Sequence, residues 1–141
     1  MFDKNYDQRL LSWSNFRKSL ETSEDPIQDT INFYNNAPTV SIHTDPWTPE
    51  MWPTPWELLQ ENQYCPFTSV LGMCYSLQLT ERFSEVPFEI HIIVDRENSA
   101  TFYLLYVGDI VIERHYEAKI YAGELTKDCE IKKVYCMEKL Q

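Results

Sequence analysis

The feature that most constrains the fold is a helix-start signal in the middle of the chain, the tetrapeptide Thr54-Pro55-Trp56-Glu57. Its threonine can accept a hydrogen bond from the amide three residues later, and its glutamate can accept one from the threonine amide. Proline suits the first helical position because it has no amide hydrogen to satisfy. The pattern predicts that a short helix begins at Pro55.

A second helix start follows at Cys65-Pro66, after the polar turn at residues 60–63. Apolar residues then recur at helical spacing, at Phe67, Val70, Leu71, Cys74, Leu77 and Leu79. This spacing predicts a helix with one buried face and with Cys65 at its N-terminus. The positive end of a helix dipole stabilises a thiolate, so the position suits a nucleophile. A structural role is the alternative, because free cysteine is among the residues most often buried.

Two further helices are predicted upstream. Between residues 3 and 20, apolar side chains recur at steps of three and four, at Tyr6, Leu10, Trp13, Phe16 and Leu20. Asp25-Pro26 then combines a favoured N-cap with a favoured first residue. The polar run that ends at Pro38 stops this second helix.

From Val86 onward the apolar period changes to two, which is typical of strands. In residues 86–95 the expected core face carries Phe88, Ile90, Ile92 and Val94. Further strands are predicted over residues 101–107, 110–115, 117–125 and 129–137, with Gly108-Asp109 as a tight turn. This order of predicted helices followed by predicted strands indicates one α+β domain over residues 1–141, with N-terminal helices in residues 1–82 and an antiparallel sheet in residues 83–141.

The segment before the third helix, residues 39–52, loses periodicity and is rich in proline and tryptophan. Proline restricts the backbone and tryptophan can pin a loop to the core, so we expect an ordered, anchored loop. The alternative is an exposed binding platform, because exposed tryptophan is rarely kept without a partner. Its candidate binding residues are Trp47, Trp52, Trp56, Glu50 and Glu57.

The net charge of −10 is unevenly distributed. No lysine or arginine lies between Lys18 and Arg82. The same interval holds nine acidic residues, Glu21, Glu24, Asp25, Asp29, Asp45, Glu50, Glu57, Glu61 and Glu81. Such a surface repels nucleic acid and attracts basic partners, so we expect a protein partner and no nucleic-acid binding. A solvated acidic face that serves solubility is the alternative.

Composition and spacing argue against several kinds of site. The four cysteines form no C-x-x-C pair and have no histidine at zinc-finger spacing, so we expect free thiols and no metal site. The three glycines form no phosphate-binding loop or dinucleotide fingerprint, so we expect no cofactor. The sequence shows no long apolar run and no charged segment followed by an apolar one, so we expect neither a membrane span nor a secretory signal.

The central stretch resembles bacterial transglutaminase-like cysteine proteinases, which belong to the papain-like and transglutaminase superfamily. The matching residues are Trp52, Thr54, Pro55, Glu57, Leu58 and Cys65. The helix that contains Ile31-Asn32-Phe33-Tyr34-Asn35 also lies where the family has one. The match covers about the first 80 residues, and the remainder matches only in the order of its elements. In its general character, and not in any single motif, the chain also resembles small proteins encoded by tailed phages.

This resemblance implies a papain-like or transglutaminase-like core but an incomplete catalytic set. In the family a histidine on a following strand and an acid on the next strand assist the cysteine. The place for the histidine falls in residues 99–102, which contain none, and the family's acidic neighbour of Cys65 is absent. His91 and His115 remain as candidate bases, and Glu113 as a candidate acid.

Three functions follow from these observations. The first, which we expect, is a non-catalytic transglutaminase-like domain that acts as a structural or protein-interaction module. Its setting would be a phage virion or its assembly, or the host cytoplasm. The second is a cysteine peptidase, amidase or acyl transferase that uses Cys65. The third is an acidic decoy or DNA mimic that binds a basic host protein.

Overall fold

The order of elements places four helices before one antiparallel sheet. The computed structural model describes residues 1–39, 44–96, 99–113, 120–121 and 129–138. The helices are α1 (Tyr6–Leu20), α2 (Pro26–Tyr34), α3 (Pro55–Glu61) and α4 (Pro66–Gln78), and a short 3-10 helix, Pro49–Met51, precedes α3. The strands are β1 (Phe88–Asp95), β2 (Ala100–Val107), β3 (Ile110–Glu113), β4 (Ile120–Tyr121) and β5 (Cys129–Met137). The predicted α+β class is confirmed.

Side-chain caps set the starts of the first three helices. Asp25 accepts a bond from the amide of Gln28, and Thr54 forms the predicted capping box of α3. At α1 the cap is Asn5, whose side chain accepts a 2.9 Å bond from the Gln8 amide. Because the Asn5 side chain satisfies the Gln8 amide, α1 begins directly after Asn5, at Tyr6, and not near residue 3 as the apolar stripe predicted.

Helix α4 is the centre of the fold. Every residue from Phe67 to Leu77 is buried, so the prediction of a helix with one buried face is wrong. The reason is that α4 contacts α1, α2 and α3 and also packs against β2 of the sheet. A helix surrounded in this way needs small or apolar side chains on all sides.

A closed set of hydrogen bonds surrounds Ser76, a buried polar residue of α4. Ser76 Oγ lies 2.8 Å from the Gly72 carbonyl oxygen, to which it donates, and it accepts bonds from Trp13 Nε1 at 2.8 Å and from the Tyr34 hydroxyl at 2.9 Å. Burial raises the pKa of Tyr34 to about 12 despite these bonds. The side chain of α4 at position 72 must be hydrogen, because a Cβ at Gly72 would lie 2.5 Å from the Tyr34 ring. The network therefore fixes α1 and α2 against one face of α4.

The five described strands form one antiparallel sheet in the order β4-β3-β2-β1-β5. The predicted turn at Gly108 joins β2 to β3, and its φ of 62° suits glycine. The last strand pairs with β1, so β5 lies at one edge of the sheet. The predicted strands over residues 110–115 and 117–125 are described only at 110–113 and 120–121, and their other residues lie outside the described part.

Both faces of the sheet are buried near its centre. Ile90 and Leu105 belong to the core shared with α4, as predicted for the helix-facing side of β1. Ile93, Leu104 and Val111 form a second apolar cluster, with side chains that alternate away from the first. The sequence predicted only one core face for β1, but on its other face Ile93, His91 and Asp95 are buried as well.

Replacement of Ser76 by alanine is expected to lower the free energy of unfolding by about 1–3 kcal/mol, because two buried donors lose their shared acceptor. Denaturant unfolding monitored by circular dichroism measures this change. Ser19→Ala is the matched control, since the Ser19 hydroxyl bonds a local carbonyl in an exposed place. We expect a change within about 0.5 kcal/mol there. Equal effects of the two substitutions would show that the buried network contributes nothing.

Candidate functional site

The sulfur of Cys65 lies at the start of α4, where the sequence placed a candidate nucleophile. Cys65 is the N-cap residue, and its amide donates to Thr68 Oγ1 at 2.8 Å. The same hydroxyl lies 3.5 Å from Cys65 Sγ. Only 2% of Cys65 is exposed. The thiol thus has the helix-dipole position of a nucleophile but not the access to solvent that a nucleophile needs.

A cover of aromatic rings encloses this end of α4. The ring of Trp52 packs against Phe67 and Tyr135, with centroid distances of 5.0 and 4.9 Å. The chain next to Trp52 is tied down by Tyr75, whose hydroxyl donates to the Pro53 carbonyl at 2.7 Å. We call residues 44–54 the tryptophan loop, and its C-terminal end is therefore fixed to α4 and to the edge strand β5.

The strand expected to carry the family's histidine presents Tyr103 to this site. Its ring packs edge-on against Phe67 at 5.2 Å, on the face of the sheet that contacts α4. Burial raises the pKa of Tyr103, and the negative charge of Asp45 raises it further. The phenol therefore keeps its proton at neutral pH and cannot act as a general base there. Sequence reasoning missed Tyr103, although its position two residues before Leu105 places both on the core face.

The candidate base His91 lies on the opposite face of the sheet from Cys65. Its ring stacks on Tyr106 at 3.8 Å, and its Nε2 lies 3.1 Å from Glu89 Oε1. The backbone of β1 therefore separates this imidazole from the thiol. His115 and the side chain of Glu113 lie outside the described residues. Within the described part, the structure brings none of the candidate bases to Cys65.

The three tryptophans of the expected platform occupy different environments. Trp52 is anchored, as described above, whereas Trp47 and Trp56 are 53% and 49% exposed. Trp56 rests edge-on against the buried Trp13 at 5.5 Å. The expectation of core anchoring is therefore wrong for Trp47 and holds only in part for Trp56.

A hydrogen-bonded turn holds Trp47 in solvent. The carboxylate of Asp45 accepts bonds from the Trp47 amide at 2.8 Å and from Thr48 Oγ1 at 2.7 Å. The Met51 amide then donates to the Thr48 carbonyl at 2.9 Å and begins the 3-10 helix. These bonds direct the chain so that Trp47, Glu50 and Met51 are all exposed. We call these three side chains the loop surface.

Negative charge characterises the loop surface and its surroundings. The bonds to Asp45 lower the pKa of its carboxyl group, so this residue is ionised at neutral pH. The charges of Asp45 and Glu50 raise the pKa of Tyr135 on the neighbouring strand, after the larger effect of burial. Glu57 has a different role, because its carboxylate accepts a 3.1 Å bond from the Thr54 amide as the capping box predicted.

Two further properties concern the described residues alone. They contain no group of three or more histidine, cysteine, aspartate or glutamate side chains placed to hold a metal ion. Among the same residues, none of the helices combines the length and the apolar character needed to cross a bilayer. No protein-family model matches the chain, and no curated protein matches it significantly in sequence.

We expect the two loop tryptophans to differ in their contribution to stability. Trp52→Ala is expected to lower the free energy of unfolding by about 2–3 kcal/mol, somewhat less than for a fully buried tryptophan, because Trp52 fills the space between Phe67 and Tyr135. Trp47→Ala is the matched control and is expected to change it by less than about 0.5 kcal/mol. Chemical denaturation measures both. A large loss in Trp47→Ala would mean that its ring stabilises the fold and is not free for a partner.

Proposed function

We propose that this protein is a non-catalytic domain of transglutaminase-like type that binds a protein partner through the loop surface. One contrast carries the proposal. The thiol that would perform chemistry is enclosed, whereas Trp47 and Met51, which have no evident role in folding, are held in solvent. The proposal also draws on the helix-start pattern around Cys65, which resembles that family.

Catalysis by Cys65 is disfavoured on two physical grounds. A thiolate must approach a carbonyl carbon to about 3–3.5 Å, and a residue that is only 2% exposed gives a substrate no such approach. A base must also take the thiol proton, and the described neighbour on the sheet is Tyr103, a phenol with a raised pKa. We interpret Cys65 as a packing residue in the place of a nucleophile.

Binding through the loop surface is favoured by its composition and its order. Aromatic residues and methionine are enriched where proteins meet, and Met51 is the most exposed large apolar residue in the described part, at 71%. The turn bonds of Asp45 fix the backbone before any partner arrives. Little conformational entropy is then lost on binding, which raises affinity.

We propose a tailed-phage particle, or its assembly in the host cytoplasm, as the setting of this interaction. The support is the similarity in style to small proteins of such phages, and an interaction domain without catalysis suits an assembled particle. Mass spectrometry of purified particles tests the setting. Detection of the chain in stoichiometric amount supports it, and consistent absence from particles and their assembly intermediates contradicts it.

Thiol labelling separates this function from cysteine catalysis. With iodoacetamide at neutral pH, the exposed Cys136 is expected to react readily and the buried Cys65 and Cys74 at least about 100-fold more slowly. A 100-fold reduction corresponds to a local opening of about 3 kcal/mol. Peptide-resolved mass spectrometry measures each rate, with free cysteine as the external reference. A Cys65 that reacts faster than free cysteine would identify an activated nucleophile and refute the proposal.

A further inference from the structure

We infer that the partner segment of the loop surface is basic and places an arginine or lysine side chain on the ring of Trp47. The inference rests on the proposed function, because it specifies the partner of the same surface. Three observations support it: the Trp47 ring is exposed and has no aromatic or cationic partner among the described residues, two other aromatic rings of the protein make cation–π contacts, and acidic residues lie next to Trp47.

The ring of Trp47 is available on its exposed side. Within the described part of the chain, it has neither an aromatic nor a cationic partner, although its backbone is fixed by the bond to Asp45. Indole is the aromatic side chain with the strongest attraction for cations. An ordered and unpartnered indole is therefore a ready acceptor for a cation.

Two other aromatic rings of this protein already form cation–π contacts with side chains of the same chain. The guanidinium carbon of Arg17 lies 4.3 Å from the ring centroid of Trp13. The ammonium nitrogen of Lys133 lies 5.5 Å from the centroid of Tyr135, next to the tryptophan loop. Trp47 presents a ring of the same kind, and a partner must supply the cation.

The charges around Trp47 favour a cation over an anion. Asp45 precedes Trp47 by two residues, and its carboxylate is already occupied by the Trp47 amide and Thr48. Glu50 follows Trp47 by three residues and is exposed, and it makes no hydrogen bond or ion pair with other described residues. A guanidinium over the Trp47 ring can therefore pair with a free carboxylate, whereas an acidic segment or a nucleic-acid backbone is repelled.

A pair of synthetic peptides tests the inference directly. One peptide contains four arginines separated by glycine and serine, and in the matched peptide each arginine is replaced by glutamine. Titration of the full chain by calorimetry at low salt should show binding of the arginine peptide, no binding of the glutamine peptide, and weaker binding as salt rises. Trp47→Ala and Glu50→Gln should each raise the Kd about fivefold, the size of one exposed cation–π or charge contact.

Two control variants distinguish binding at this site from a general attraction of the acidic chain for basic peptides. Leu11→Ala changes an apolar residue that is 64% exposed on α1, and Glu24→Gln removes an exposed charge outside the loop. Both should leave the Kd unchanged. Lack of binding by the unmodified chain, equal losses in all four variants, or unchanged binding in Trp47→Ala would overturn the inference. Binding of the glutamine peptide that depends on Trp47 would overturn the basic partner and leave the proposed interaction function in place. The absence of catalysis, the other part of that function, is tested separately by the thiol labelling.

Discussion

The complete burial of α4 is the constraint on which the rest of the structure depends. In a helix enclosed on all sides, a polar side chain must find its partners within the protein, and Ser76 does so by joining Trp13, Tyr34 and the carbonyl of Gly72. The same enclosure requires three helices on one side and a sheet on the other, which gives the α+β order. It also places the first residue before the helix, Cys65, under cover.

The position of the tryptophan loop follows from that enclosure. To close the Cys65 end of α4, the loop inserts Trp52 between Phe67 and Tyr135 and is tied to Tyr75 through the Pro53 carbonyl. A loop fixed on its inner side has an outer side that is also ordered, and this outer side is the loop surface. Packing around the start of α4 can thus create a rigid binding surface without any gain of chemistry, which is the relation we propose here.

Local signals in the sequence predicted the starts of α2, α3 and α4, the β2–β3 turn and the α+β class, because caps, glycine and apolar periodicity act over a few residues. They did not predict that α4 is buried on all sides. A polar residue such as Ser76 is expected at the surface unless its hydrogen-bond partners on other helices are known. The exposure of Trp47 was predicted only as the alternative, because tryptophan usually packs inside and the sequence does not reveal the turn that Asp45 makes. Tyr103 was missed because its approach to Cys65 depends on how β2 packs against α4.

Native-state hydrogen exchange of α4 tests the central claim most directly, because it reports whether the Cys65 end opens independently of the remainder. The amide of Ser69 donates to the Cys65 carbonyl at 2.9 Å, so it reports on the first turn, and Cys74 reports on the middle of the helix. We predict that both amides exchange with the free energy of global unfolding. Exchange of Ser69 through an opening several kcal/mol less costly than that of Cys74 would show an accessible thiol site and would contradict the account.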